Sequence, residues 1–107
     1  MPKRYVFVVQ SRPTPGMEAA YNEWYDKQHV PDVVALPGFV SAKRFKYKAL
    51  PNSNPASHPY LALYTIETDD LAATQAALTA AVGTPKMVMS DAIDLTGLQA
   101  TYYESLD

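Results

Sequence analysis

Tyr60-Leu61-Ala62-Leu63-Tyr64-Thr65-Ile66 is the stretch on which the fold turns. Its aromatic and apolar content, preceded by a run rich in proline and asparagine, reads as a β-strand. Successive side chains of a strand point to opposite faces of the sheet. Tyr60, Ala62, Tyr64 and Ile66 share one parity, and Leu61 and Leu63 belong to the other, so both faces are apolar. Tyr5 to Gln10 behaves in the same way: Tyr5, Phe7 and Val9 alternate with Val6 and Val8. A half-solvated antiparallel strand would alternate apolar with polar instead. Both faces of this sheet therefore need cover.

Working outward, Ser11-Arg12-Pro13 is a turn, and Thr14 offers an N-cap with Pro15 at the first helical position. Met17, Ala20, Tyr21, Trp24 and Tyr25 then recur on one face of a helix. Pro31 biases Val30 away from helical angles, which ends that helix near His29. A short helical turn follows from Pro31, closed by Pro37-Gly38. Phe39 to Lys48 is a second strand, with Lys43, Arg44, Lys46 and Lys48 marking a partly exposed edge. Leu50 to Pro59 is a loop. Thr68 or Asp69 caps a helix running through Val82, with Leu71, Gln75, Leu78 and Val82 as its inner stripe and Gly83 as its stop. Thr84 to Gly97 is a long irregular excursion, too apolar at Met87, Val88, Met89, Ile93 and Leu95 for a free loop. The last strand is Leu98 to Tyr103.

The resulting order, β-α-β-β-α-β, is the split βαβ arrangement of an α+β, ferredoxin-like domain spanning residues 1–107. Right-handed crossovers place both helices on one face of the sheet. Two helices cannot shield two faces, and the simplest cover for the second is another copy of the chain, a homodimer.

Composition sets the outer bounds. The chain has 107 residues, 48% of them apolar, which suits one globular domain. It has no cysteine, which excludes disulfide and thiolate chemistry. Its apolar runs are too short to cross a membrane, and its first residues lack the pattern of a signal peptide, so the expected compartment is the cytoplasm. A net charge of −2 gives no electrostatic pull toward nucleic acid or acidic lipid. Two histidines, His29 and His58, stand outside any metal-ligand spacing. Four isolated glycines form neither a phosphate-binding loop nor a dinucleotide fingerprint. No cofactor is expected.

Tyr21-Asn-Glu-Trp24-Tyr25-Asp-Lys-Gln-His29-Val-Pro31-Asp32, followed by Leu36-Pro37-Gly38 and then Arg44-Phe45, resembles the EthD-like branch of the dimeric α+β barrel superfamily. The likeness covers about residues 15 to 47 and continues beyond them only in element order. It implies that two ferredoxin-like sheets face each other as a dimer and enclose a lumen that holds a small ligand. Members of the superfamily include isomerases, polyketide cyclases, cofactor-free monooxygenases, a lyase and haem-binding branches, so membership alone leaves the reaction open.

His29 is the leading candidate for chemistry, because imidazole exchanges protons near neutral pH. The resemblance implies a catalytic or substrate-polarising histidine at this position. The alternative is a histidine that complements a helix C-terminus. Asp32 could orient the imidazole, although Pro31 interrupts the geometry between them and a first-turn helix acid is the plainer role. Arg44 could anchor an anionic oxygen or simply be a solvated edge charge. The eight tyrosines combine an apolar ring with a hydroxyl donor, suited either to an aromatic ligand or to a subunit interface. Tyr64 reads as a pocket residue, with Leu61 and Leu63 as helix-facing core. Tyr5, Phe7, Trp24, Tyr25, Tyr60 and Tyr102 complete the candidate substrate-binding set. The function expected from these residues is acid–base isomerase, cyclase or lyase chemistry on a small aromatic, lactone or polyketide-like molecule. His29 would be the acid–base, with Tyr64 or Arg44 as the oxyanion partner. A binding module of the same fold, or a structural dimer with a filled lumen, is the alternative.

Overall fold

The computed structural model describes residues 2–106. Strands β1 (Lys3–Pro13), β2 (Phe39–Lys46), β3 (Tyr60–Thr68) and β4 (Ile93–Glu104) form one antiparallel sheet in the order β2-β3-β1-β4. The two doubly apolar stretches are therefore the two central strands. Helices α1 (Glu18–Trp24), α2 (Val30–Val34) and α3 (Leu71–Ala81) supply the two crossovers. This is the ferredoxin-like topology expected from the sequence.

The helices cover the face that carries Phe7, Val9, Ser11, Tyr60, Ala62, Tyr64 and Ile66, all of them buried. That reverses the parity read from the sequence. Leu61 and Leu63 point away from the helices and are only half-buried, as are Val6 and Val8. The physical reason lies in the partners across the layer: the buried rings of Tyr21 and Tyr25 on the first helix, with Thr74, Leu78 and Ala81 of α3, pack against the aromatic parity of the sheet, Tyr60 meeting Tyr21 at 5.1 Å. Phe45 and Tyr103, cross-strand partners of Leu61 and Val6, extend the open face and are 45% and 58% exposed. No element among the described residues covers this apolar patch.

Several boundaries differ from the sequence reading. Strand β1 continues through Pro13, and Thr14 does not cap a helix: its amide and hydroxyl donate to the carbonyls of Ala92 and Asp91, at 2.7 Å each. Tertiary pairing to the excursion outcompetes the local cap. Strand β4 starts at Ile93, inside the stretch read as irregular, with a register shift opposite Gln10–Arg12. The cap of α3 is Asp70, which accepts from the amide of Ala73 at 3.1 Å. Its buried positions are Thr74, Leu78 and Ala81, while Gln75 and Val82 are exposed.

The first helix does not stop at His29. Tyr25, His29 and Val30 all hold right-handed helical angles, and Tyr25–His29 form a π turn in which the amide of Val30 donates to the carbonyl of Tyr25. Pro31 is tolerated because it falls in the first turn of α2, where its missing amide is not needed. Gly38 then turns the chain into β2 with a φ of +92°, and an added Cβ would lie 3.1 Å from the Thr74 hydroxyl. The Leu36-Pro37-Gly38 signature thus marks where the end of α2 passes tightly against α3.

Candidate functional site

Between the helices and the sheet lies a cavity of about 200 Å³. Phe7, Val9 and Tyr64 form its floor, Tyr25, His29 and Val33 one wall and Leu78 another. Val82, Met89, Leu95, Leu98 and Ala100 line it on the side of β4, where Val82, Leu95 and Ala100 are exposed and mark its mouth. The excursion after Gly83 thus packs over the cavity of its own chain, with Met87 and Ala92 fully buried. The site is enclosed by helices and sheet of one chain, in contrast to the inter-sheet lumen implied by the resemblance.

The π turn places the key imidazole. His29 stacks on Trp24 at 4.6 Å and meets the edge of Tyr25 at 5.2 Å. Its Nδ1 is buried and has no hydrogen-bond partner. Burial pushes the His29 pKa down to about 4, with the nearby Asp32 carboxylate pulling weakly the other way. The imidazole is therefore neutral throughout the physiological range.

Tyr64 is its counterpart on the sheet. Its ring packs against Phe7 at 5.8 Å and Phe39 at 6.2 Å, and its buried hydroxyl makes no well-formed hydrogen bond, with the Tyr25 hydroxyl as its polar neighbour. Burial drives the phenol strongly upward, and the neighbouring Tyr25 adds to the shift. Tyr25 itself is pushed up to about 12, again by burial first and then by Tyr21. Both stay protonated and can donate. A buried polar atom without a partner costs about 1–3 kcal/mol, and here two such atoms belong to residues that line one cavity.

The remaining candidates separate into supporting positions. Trp24 donates from its indole to the Val88 carbonyl at 3.0 Å and so ties the excursion to the helix behind His29. Tyr102, the cross-strand partner of Phe7, stacks beside it at 4.3 Å on the same face of the sheet and does not line the cavity. Tyr5 is half-buried further along β1, and Asp32 is half-buried in α2. Arg44 lies outside the cavity. Its guanidinium donates to Asp26 and Asn22 at 2.8 Å each and sits 4.4 Å from the Tyr25 ring centroid. Tyr60 belongs to that same cluster, donating to Glu18 at 2.6 Å. A buried bond of 2.6 Å between the hydroxyls of Ser11 and Tyr21, which sequence reading missed, fixes α1 to β1. His58 is occupied structurally, with Nε2 at 2.6 Å from the Gly97 carbonyl and Nδ1 at 2.8 Å from the Ser57 hydroxyl. Among the described residues no group of three or more His, Asp or Glu side chains could hold a metal ion, and no helix is long and apolar enough to cross a membrane.

No family model and no curated protein matches the chain. Among solved structures, a candidate monooxygenase from Shewanella loihica PV-4 superposes with a TM-score of 0.59 at 14% identity, covering 100% of this chain and 98% of that one. The fold is shared from end to end. At that identity the likeness speaks for the architecture alone.

Proposed function

We propose that this chain is an enzyme performing acid–base chemistry on a small, single-ring aromatic or lactone-like molecule held in the helix–sheet cavity. The observation that carries this is that His29 Nδ1 and the Tyr64 hydroxyl, both buried without a well-formed hydrogen bond, belong to two residues that line one largely apolar cavity. Size agrees, since an apolar cavity of roughly 150 Å³ accepts benzene. Neutral His29 takes a proton from a carbon next to a carbonyl or from a phenolic hydroxyl. Negative charge collects on the substrate oxygen, where the Tyr64 hydroxyl donates to it. The imidazolium returns the proton at another position, giving isomerisation or ring closure with no oxidant or reductant consumed. A base whose pKa is about 4 is weak, so the donor on the oxyanion supplies much of the driving force. The EthD-like signature supports the same reading, because Tyr25 and His29 fall within it and both line the cavity. The S. loihica protein supports an enzymatic role for the fold and leaves the reaction class to the site.

We also propose that the open sheet face pairs with a second copy of the chain. Val6, Val8, Leu61 and Leu63, with exposed Phe45 and Tyr103, form a continuous apolar surface on the side opposite the helices. Such an interface would bury roughly 2,000 Å² or more.

The enzymatic test begins by screening phenols, aromatic acids and lactones for thermal stabilisation of the protein. Replacing His29 with Ala or Gln should then lower turnover of a stabilising compound by roughly 10²- to 10⁴-fold and leave its affinity within a few-fold. An unimpaired His29→Gln enzyme would move the chemistry away from the imidazole. Ligands that bind at His29 without turnover would identify a binding module.

A further inference from the structure

Arg44 is the most completely held cation among the described residues. It projects from the edge strand β2 toward the helices, and its side chain is 14% exposed. Its guanidinium lies 4.4, 5.4 and 5.5 Å from the ring centroids of Tyr25, Tyr21 and Tyr60. Asp26 and Asn22, one helical turn apart on the first helix, fix its orientation through 2.8 Å hydrogen bonds. The other charged groups at this end are Glu18, which accepts from Tyr60, and Lys46, 4.0 Å from Glu18. Asp26, the direct counterion, is 63% exposed. Water screens that carboxylate, whereas the guanidinium faces packed aromatic rings, so the interior feels the cation more than the anion. Of the three stacked rings, Tyr25 is the one that also lines the cavity.

We propose that Arg44 is a positioning residue that acts through Tyr25, biasing the cavity toward the anionic form of its ligand, a phenolate or enolate, without touching it. The inference rests on the cavity being the ligand site, as the proposed function requires. Three features support it. The guanidinium is immobilised by two hydrogen bonds, so its field is fixed in direction. Its nearest contact is a cavity wall. The hydroxyls of Tyr25 and Tyr64, deep in apolar surroundings, both feel it as a favourable charge for an oxyanion. The cavity itself holds no cation, since His29 is neutral, and a developing oxyanion would otherwise meet only neutral donors.

The experiment uses 4-nitrophenol, whose phenolate is yellow and whose ionisation can be followed while bound to the intact protein. Three proteins are titrated: wild type, Arg44→Met and Asp26→Asn. A merely structural ion pair predicts the same change from both variants, because each breaks the same bond. An electrostatic role predicts opposite signs. Arg44→Met should raise the pKa of the bound phenol by roughly half a unit to one unit, and Asp26→Asn, which leaves the cation unbalanced, should lower it by a few tenths. Asp26 is exposed, so its variant should fold even if Arg44→Met does not. An unchanged or raised pKa in Asp26→Asn overturns the proposal and leaves the cavity reading intact. Failure of the wild type to bind the phenol overturns the cavity as the ligand site and this inference with it.

Discussion

Trp24 and His29, five residues apart, stack ring on ring at 4.6 Å with 24° between their planes. On a regular α-helix such a pair would diverge by about 140° around the axis. The π turn over Tyr25–His29 brings them into line, because its hydrogen bonds join residues five apart. The same indole donates to Val88, so one side chain links the candidate base to the segment over the cavity.

Trp24→Phe keeps a ring against His29 and removes the donor to Val88. The expected loss is about 0.5–1.5 kcal/mol of stability, concentrated locally. Amide exchange around residues 86–90 should accelerate more than exchange in the sheet. Uniform exchange across both regions would show that the indole bond does not hold the segment.

His29 gives the fold a defined pH dependence. Its folded pKa, about 4, lies below the ordinary value of 6.5, so between these pH values the unfolded chain binds a proton that the folded chain refuses. Stability is therefore full above about pH 6.5 and declines as the pH falls toward 4, by roughly 1–3 kcal/mol. Urea unfolding at pH 7 and pH 4.5 should show the decline in wild type and a smaller one in His29→Gln.

Tyr64→Phe deletes a buried hydroxyl that makes no well-formed hydrogen bond. Stability should rise by about 1 kcal/mol, visible as a higher Tm, while turnover of any substrate falls. A lower Tm would mean that the hydroxyl is already satisfied.

Leu63→Glu places a charge at the centre of the open sheet face, on the side of the sheet opposite the cavity. Sedimentation at micromolar concentration should report a dimer for wild type and a monomer for the variant. A wild-type monomer of 11.8 kDa would remove the basis for pairing.

The element order was legible because Tyr5–Gln10 and Tyr60–Ile66 have strand composition and proline and glycine punctuate the remainder, whereas the central place of these two strands is a finding of the structure. Parity was not legible. With apolar side chains on both faces, nothing local says which face the helices take, and the answer depends on which rings the helices bring across the layer. His29 stood out through residue chemistry alone, whereas its neutral state is a product of burial that no local pattern encodes. Pro31 misled for a similar reason. Its preference for ending a helix is real, but the wider turn before it lets the helical path continue. Arg44 read as a possible ligand anchor because its three aromatic partners come from distant parts of the chain.

The wide turn also decides how this stretch should be aligned. Removing one residue between Trp24 and His29 would restore ordinary α-helical hydrogen bonding and leave α1 and its Ser11–Tyr21 anchor in place. The tryptophan and the histidine would then stand four residues apart, only about 40° around the axis of a regular helix, so the ring stack would survive. In aligning distant relatives, a gap of one in the interval from Trp24 to His29 therefore marks the loss of the extra residue, and not the loss of the imidazole.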